Sequence, residues 1–168
     1  MVDKYVGKLS LKYKIYNMIT IEDFKIKHSN KVRFIGLDLG SKRIGVSICD
    51  ERQSIATPFK TIHKTNTNEL IDQLKVIIEE NNIGGIIIGN PVNMDGTMGR
   101  SAQSVNDVAS NISKSIDLPV ILWDERLSTV GAFNLSSLLD VNVSKRVKTI
   151  DQNAAAFILQ GAIDFLNN

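Results

Sequence analysis

The chain has 168 residues, of which 43% are apolar, so it is long enough to bury one core and is not disordered by composition. Its formal charge is +2, and this charge is unevenly distributed. Residues 1–32 carry seven lysines against three acids, whereas residues 33–168 carry thirteen Lys and Arg against fifteen acids. These counts exclude a generally basic main domain. No apolar run approaches roughly 20 residues, so we expect that the chain does not cross a membrane. No signal peptide is evident, and Cys49 has no second cysteine to pair with, so we expect a cytoplasmic protein.

The charge pattern divides the chain in two. Residues 1–32 are predicted to form a basic N-terminal appendage, whose apolar residues fit neither helical nor strand spacing and whose structure stays open. Residues 33–168 are predicted to form the main domain. Any binding of nucleic acid then depends on local basic patches of the main domain or on the appendage.

Three predicted strands open the main domain. Gly40-Ser41 and Asp50–Arg52 supply the turns between them. Cys49 ends the second strand, and we interpret it as a small buried residue and not as a nucleophile. The strands, which form an antiparallel meander, are Arg33–Leu39, Ile44–Cys49 and Ser54–Ile62.

Helices and strands alternate in the rest of the chain. Asn66 and Glu69 have the spacing of a capping box, and the helix that they open ends near Asn81-Asn82. Continuous apolar runs at Gly85–Gly89 and Pro119–Trp123 are typical of strands buried in a parallel sheet. Two more helices are predicted at Thr129–Leu139 and at Asp151–Leu166, and a possible capping box at Thr149–Gln152 opens the last one. The first predicted helix buries Leu70, Ile71, Leu74, Ile77 and Ile78 on one face. The second predicted helix buries Val105, Val108, Ala109, Ile112 and Ile116.

This order of elements predicts an α/β fold. Three meandering strands followed by strands with crossover helices give a mixed five-stranded sheet, antiparallel and then parallel, with helices on both faces. The order matches the ribonuclease H-like fold. It does not match a Rossmann domain, which alternates strand and helix from its start.

Asp38 lies at the end of the first strand, in the middle of a predicted sheet. A carboxylate there is costly unless it is paired or binds a metal ion. The residue pattern leaves two roles open. Asp38 is either a metal ligand or a structural acid that caps the turn at Gly40-Ser41 or pairs with Lys42 or Arg43.

Asp124 and Glu125 follow the strand Pro119–Trp123. Sites in open α/β sheets lie just beyond the carboxyl ends of parallel strands. Successive side chains alternate in direction, so we predict that Glu125 reaches the site and that Asp124 supports it from a second layer. The alternative is a surface loop whose charges pair through Arg126.

Asp151 opens the last predicted helix. The helix dipole alone favours an acid in the first turn, which is one explanation of this residue. Asp151 also shares helical spacing with Ala154, Ala155 and Ile158, which places it on the face that packs against the sheet. Considered together with the other acids, it is predicted to join Asp38 and Glu125 in one site.

Three carboxylates at one site suit a hard divalent cation. Carboxylate oxygens favour Mg²⁺ or Mn²⁺, and one or two such ions activate a water and stabilise the leaving oxygen of a phosphodiester. The catalytic and metal-binding residues predicted here are therefore Asp38, Glu125 and Asp151. His28 and His63 have no metal-ligand partner at suitable spacing and are predicted to be incidental.

Two further stretches are candidates for binding phosphate. The loop Gly89–Arg100 leads into a helix N-terminus, which favours anions, although it lacks the ending of a Walker A loop. The alternative is that this loop is only a structured turn. Lys145, Arg146 and Lys148, which precede Asp151, either contact the phosphate backbone or form a solvated run of charges. The predicted nucleic-acid contacts are Lys42, Arg43, Asn93, Thr97, Arg100, Arg126, Lys145, Arg146 and Lys148.

Four segments, in this order, resemble the motifs of the YqgF family of ribonuclease H-like proteins. The resemblance covers about residues 33–166 and implies Asp38, Glu125 and Asp151 as metal ligands of a nuclease domain at 33–168. Members of that family were proposed as Holliday junction resolvases and are now regarded mainly as nucleases that mature the 5′ end of pre-16S ribosomal RNA. The segments are Gly36–Val46, Asn93–Thr97, Trp123–Thr129, and Ile150-Asp151 with Ala154-Ala155 and Ile158–Gln160.

Two positions depart from the family pattern. Asn90 replaces a leucine that is usual after the glycine of the loop, and the segment around Arg100 lacks the common Pro-Arg order. Both departures affect expected substrate contacts, and neither involves the three acids. The family pattern does not explain residues 1–32.

Four functional hypotheses follow. The first is a Mg²⁺-dependent endonuclease that cuts precursor ribosomal RNA in ribosome biogenesis, as a monomer or weak homodimer, and leaves a 5′-phosphate. The second is a resolvase of branched DNA, which a monomer in solution would disfavour because resolvases act as symmetric dimers. The third is a catalytically silent nucleic-acid-binding domain, which a failure to bind metal would favour. The fourth is a sugar kinase or actin-like ATPase, suggested by Asp38–Ser41, but 168 residues are too few for its duplicated domains.

Overall fold

A computed structural model describes residues 18–27, 32–63, 66–127 and 143–168, and it describes Ile26, Lys27 and residues 143–152 by their backbone only. In this part of the chain no helix is long and apolar enough to cross a membrane. The elements, in chain order, are α1 (Ile21–Lys27), β1 (Arg33–Leu39), β2 (Arg43–Cys49), β3 (Ala56–His63), α2 (Thr67–Asn81), β4 (Ile83–Asn90), α3 (Arg100–Ser115), β5 (Val120–Asp124), a 3₁₀ turn (Glu125–Leu127) and α4 (Val143–Asn167).

The strands form one five-stranded sheet in the order β3-β2-β1-β4-β5. Short turns make β1, β2 and β3 antiparallel neighbours. The crossovers through α2 and α3 make β4 parallel to β1 and β5 parallel to β4. The predicted fold class, a mixed sheet with an antiparallel meander followed by parallel strands, is confirmed. The strands β1, β4 and β5 therefore end at one edge, here called the carboxyl edge.

Helices cover both faces of the sheet because side chains of β1 alternate between two cores. Ile35 and Leu37 belong to the first core, with Leu74 of α2 and Ile112 of α3. The opposite face of β1 contributes Phe34 to a second core, which is built with α4. The α4 residues in that core are Ile158, Leu159, Ala162, Ile163 and Leu166.

Two local predictions about side chains are confirmed. The Asn66 side chain accepts a hydrogen bond from the Glu69 N–H at 2.9 Å and so caps α2. Cys49 is buried, and its sulfur accepts a hydrogen bond from the Phe34 N–H at 3.0 Å. Burial raises the pKa of the Cys49 thiol, which makes it a poor nucleophile.

β3 begins at Ala56, two residues later than predicted. The Asp50 carboxylate accepts hydrogen bonds from the backbone N–H groups of Ser54 at 2.7 Å and Ile55 at 2.8 Å. Those two groups are thereby engaged in the turn, and they are not available to the β2–β3 ladder. The same hydrogen bonds hold the pKa of Asp50 below its usual range.

The last helix corrects a prediction. α4 begins at Val143 and not at Asp151, so the possible capping box at Thr149–Gln152 does not open a helix. Residues 143–150 contain neither glycine nor proline, and nothing in them interrupts the backbone hydrogen bonds of a helix. Asp151 therefore lies inside the helix and not in its first turn. The predicted helix Thr129–Leu139 lies outside the described residues.

Part of the predicted N-terminal appendage packs on the sheet. The Ile19 N–H donates to the Val120 carbonyl at 3.0 Å, next to an isolated bridge between Met18 and Val120. Phe24 of α1 is 1% exposed and packs edge-on against Phe34, with ring centroids 5.0 Å apart. Residues 18–27 are thus packed against the main domain, whereas residues 1–17 and 28–31 lie outside the described residues, so the predicted boundary at residue 32 stays a prediction.

Candidate active site

Asp38 reaches the carboxyl edge on the face of β1 that carries α4. Gly36, two residues earlier on the same face, lies so close to α4 that an added Cβ would be 2.7 Å from Leu159 Cβ and 2.9 Å from the Ala155 carbonyl oxygen. Ser47 of β2 donates a hydrogen bond to that carbonyl at 2.8 Å. The backbone of α4 is therefore held directly against the strand that presents Asp38.

Glu125 extends over the neighbouring strand. It begins the 3₁₀ turn after β5, and a Cβ added at Gly89 of β4 would lie 2.5 Å from Glu125 Oε1. Leu37 pairs with Ile88 across β1 and β4, so Asp38 and Gly89 are neighbours at the ends of these parallel strands. The missing side chain at Gly89 is what makes room for the Glu125 carboxylate beside Asp38.

The electrostatics of Glu125 reflect this position. Its pKa is raised to about 7, first by desolvation, then by the negative charge of Asp38, and then by that of Asp124. A raised carboxyl pKa next to a second carboxylate is typical of two acids that share one site. The structure thus brings together two of the three predicted acids.

Asp124 has a different role from Glu125. Arg126 Nε donates to both Asp124 carboxylate oxygens at 3.0 Å, and the Arg126 N–H donates to Oδ1 at 3.0 Å. These bonds hold the pKa of Asp124 below its usual range. The sequence left open a surface loop whose charges pair through Arg126. That pairing is present for Asp124, whereas Glu125 is directed towards Asp38.

Asp151 is placed by its backbone only. Asn167, at the end of α4, donates to the Gln53 carbonyl, and the Gln53 side chain donates to the Val32 carbonyl just before β1. Gly36, further along β1, meets Ala155. α4 thus runs antiparallel to β1, and Asp151, four residues before Ala155, lies on the part of the helix that extends towards the carboxyl edge. Among the residues whose side chains are described, no group of three potential metal ligands occurs. The Asp151 side chain is not among those residues, so its membership of the site stays a prediction.

The loop between β4 and α3 is held by its own polar groups. Asn93 Nδ2 donates to Thr97 Oγ1 at 2.9 Å, and Thr97 Oγ1 donates to Asp95 Oδ1 at 2.6 Å. Arg126 Nη1 donates to the Asn93 carbonyl at 3.5 Å and so joins the loop to the turn that carries Glu125. Asn93 and Thr97 thus stabilise the loop, and their predicted contacts with phosphate stay predictions.

Three predicted cationic contacts lie around this edge. Lys42 lies in the β1–β2 turn and is exposed, and Arg43 begins β2 and is half-buried. Arg100 begins α3 and is exposed. Lys145, Arg146 and Lys148 lie in the first turns of α4, where the structure describes only the backbone.

Sequence reasoning missed the two glycines that create space. Gly36 admits α4, and Gly89 admits the Glu125 carboxylate. A signal for both existed, because glycine weakens a strand and inside an apolar strand often marks the close approach of another group. What approaches them became evident only from the tertiary structure.

Comparisons with known proteins assign the chain to one family. The family model described as "RuvX: Holliday junction resolvase" matches residues 32–165. A curated relative from Pelagibacter ubique is 94% identical over 151 residues, covering 90% of this chain and all of the relative. A relative from Paramagnetospirillum magneticum is 40% identical, covering 81% of this chain and 88% of the relative. Both carry the name "Putative pre-16S rRNA nuclease".

Among solved structures, the chain is similar to RuvC of T. thermophilus in complex with a Holliday junction substrate. The TM-score is 0.52 at 11% sequence identity, covering 79% of this chain and 93% of that chain. At this identity the likeness concerns the fold alone, and it agrees with a ribonuclease H-like sheet. RuvX and YqgF are two names of one family, so the predicted family and fold are confirmed by independent comparisons.

Proposed function

This chain belongs to the RuvX family of Holliday junction resolvases, and from that premise we propose that it is a metal-dependent endonuclease that hydrolyses phosphodiester bonds in structured nucleic acid. The observation that carries the proposal is the pair of acids at the carboxyl edge. Glu125 lies over Gly89, close enough to Asp38 for the charge of Asp38 to raise its pKa. Two mutually repelling carboxylates are stabilised together when a cation binds between them.

The donor set fits a divalent metal ion. Carboxylate oxygens of Asp38 and Glu125 would hold Mg²⁺ or Mn²⁺, with Asp151 as the third proposed ligand and with one or two ions. When bound, the metal supplies the activation of a water and the stabilisation of the leaving oxygen. Asp124 and Arg126 position Glu125 by fixing the 3₁₀ turn in which it lies.

The other polar residues of this edge are proposed to orient the substrate. Lys42 and Arg43 on one side and Arg100 on the other supply positive charge for backbone phosphates, and Lys145, Arg146 and Lys148 extend it along α4. Cleavage then leaves a 5′-phosphate on one product. The proposed setting is the cytoplasm.

We favour precursor ribosomal RNA as the substrate, because the curated relatives bear the name of a pre-16S rRNA nuclease. Branched DNA is the second candidate, because the family model bears the name of a Holliday junction resolvase. The two candidates share the acidic site and differ in the geometry of the nucleic acid around it.

A cleavage assay separates these candidates. End-labelled precursor 16S RNA and a four-way DNA junction are each incubated with the wild-type protein in Mg²⁺, Mn²⁺ or EDTA. We expect metal-dependent cutting of the RNA, a 5′-phosphate on the downstream product, and no cutting in EDTA. Symmetric cutting of the junction alone would select the resolvase. Binding of both without cutting in any metal would contradict the enzyme and favour a silent binding domain.

A further inference from the structure

An open cavity lies on the opposite side of β1 from the two acids. Its volume is about 250 Å³, and it lies between the β1–β2 turn and the start of α3. Leu39 contributes to its wall and directly follows Asp38 in β1. Because successive side chains point to opposite faces of a strand, the cavity and the acidic site share one edge of the sheet from its two sides.

The wall of the cavity has a polar part and an apolar part. Ser41, Ser101 and Ser104 line it with hydroxyl groups, and Arg100 adds a guanidinium. Within the described part of the chain, Arg100 makes no ion pair with an acid. This rim provides hydrogen-bond donors and a positive charge for an anionic group.

The remaining wall of the cavity is apolar. Val105 and Val108 project from α3, and Pro91 projects from the loop after β4. The volume is several times the roughly 30 Å³ that one water occupies in the liquid, so the cavity admits more than a phosphate group. An apolar wall with a few convergent polar groups is the usual construction of a small-molecule or base-sized site.

The path between the two sites is short. The Gly40 N–H donates to the Asp38 carbonyl at 3.1 Å, which turns the chain sharply after β1. Gly40 and Ser41 line the cavity, and Lys42 is exposed beside them. A nucleic-acid strand held at Asp38 therefore reaches the cavity by crossing a single turn of the protein.

We propose that this cavity binds one unpaired nucleotide of the substrate strand, next to the phosphate that is cut. Its phosphate contacts Arg100 and the serine hydroxyls, and its base contacts the wall formed by Val105 and Val108. A base paired in a duplex cannot enter a cavity, so the site selects a single-stranded segment beside the cleavage position. This inference rests on the proposed function and adds a substrate requirement to it.

Matched variants test the cavity. Ser104→Leu fills it from α3, and Gln103→Leu, at an exposed neighbour that does not line it, is the control. Arg100→Gln removes the cation, and Arg52→Gln, in the distant β2–β3 turn, is its control. Leucine is a better helix former than serine, so Ser104→Leu is expected to fold, which circular dichroism checks.

The readout is fluorescence anisotropy in EDTA, so that binding is measured without cleavage. The probe is a labelled single-stranded RNA of about ten nucleotides, within the range that single-strand sites cover. We expect Ser104→Leu to weaken binding roughly fivefold or more, because the leucine side chain occupies the cavity and excludes the base. Arg100→Gln should also weaken binding. It should make the slope of log affinity against log salt concentration shallower by the amount expected for the loss of one phosphate contact. Both controls should bind like the wild type.

The outcomes separate this inference from the proposed function. If both cavity variants bind the RNA as their controls do, the cavity is not a nucleotide site, even if the wild type still cleaves. If the wild type cleaves nothing but Ser104→Leu binds more weakly than Gln103→Leu, the nuclease is contradicted and the nucleotide site stands. A wild type that does not bind the single strand overturns the inference.

Discussion

At the scale of single residues, two adjacent acids acquire opposite properties. Asp124 is neutralised by Arg126, and its pKa is lowered. Glu125 is half-buried beside Asp38, and its pKa is raised to about 7. The difference arises from the direction in which each side chain leaves the end of β5. It makes Glu125 the acid whose ionisation opposes folding when no cation is bound.

The first prediction concerns the stability of the metal-free protein. Because the folded state raises the Glu125 pKa from 4.5 to about 7, the wild type loses stability as pH rises through this interval. Glu125→Gln removes the loss, so above pH 7 it should be more stable by on the order of 1 kcal/mol after allowance for partial exposure, or about 2–4 °C in Tm. Near pH 5 the difference should shrink.

Thermal unfolding in EDTA at a series of pH values measures this effect. Asp72→Asn, which neutralises an exposed acid of α2, is the control for the change in net charge. Equal Tm values for Glu125→Gln and the wild type at pH 8, or a gain that persists unchanged at pH 5, would contradict the proposed electrostatics of the site.

The alternation of side chains along a strand predicted that Glu125 and not Asp124 reaches the site, and the role of Glu125 in the site stays a prediction. The partner of each acid was only partly predictable. Arg126 is a sequence neighbour of Asp124, and this pairing was an open alternative. The space over Gly89 depends on β4, more than thirty residues away, and no local pattern specifies which side chain fills it.

At the scale of elements, the site depends on the close packing of α4 on β1 and β2. An alanine Cβ at position 36 would collide with Ser47 Oγ and would lie 2.9 Å from the backbone oxygen of Ala155. The second atom belongs to a helix backbone, which cannot move without shifting α4. Gly36→Ala is therefore expected to destabilise the protein by about 1–3 kcal/mol.

Urea denaturation measures this cost. Gly99→Ala is the matched control, because an added Cβ there has its nearest contact, with Asn93, at an ordinary 3.5 Å. We expect a clearly lower urea midpoint for Gly36→Ala than for Gly99→Ala. Equal midpoints would mean that α4 is not held against β1 as described.

The second element-scale prediction concerns the end of β4. Asn90 Oδ1 is buried and has no hydrogen-bond partner among the described residues. Asn90→Leu removes this unsatisfied acceptor and is expected to stabilise the protein by about 1 kcal/mol. The gain should appear as a higher urea midpoint at unchanged slope. A lower midpoint would indicate that the Asn90 amide makes a stabilising contact.

The elements were largely predictable, and the errors have local causes. The sequence pattern located every described strand of the sheet. Buried apolar runs marked the inner strands, and turn residues marked β3, in which only one residue is buried. The start of α4 was wrong because a capping box rests on two side chains, and the same pair of residue types also occurs inside helices. A helix continues wherever its backbone hydrogen bonds continue, and residues 143–150 do not interrupt them.

At the scale of the whole molecule, residues 33–168 carry a net charge of −2, and the proposed active site and the cavity share one edge of the sheet. The acids lie on one side of β1, and the cavity with Arg100 lies on the other. The order of the elements predicted this edge. The docking of residues 18–27 was not predictable, because it depends on contacts such as that of Ile19 with Val120, which are 101 residues apart in the sequence.

The oligomeric state is a prediction at this scale. We expect a monomer or a weak homodimer, because the proposed site uses residues of one chain. Sedimentation velocity at micromolar concentration measures the state directly. A tight dimer would contradict the expectation and favour the symmetric action that a resolvase of branched DNA requires.

The most direct test of the central claim is the rate at which site variants cut precursor 16S RNA in Mg²⁺. Asp38→Asn and Glu125→Gln are compared with the wild type and with Asp72→Asn, which lies on α2, on the face of the sheet opposite to Asp38. We predict a loss of roughly 100-fold or more in both site variants, since a bound metal supplies several kcal/mol of transition-state stabilisation, and a wild-type rate in Asp72→Asn. Wild-type cleavage by Asp38→Asn, or cleavage that persists in EDTA, would contradict the account.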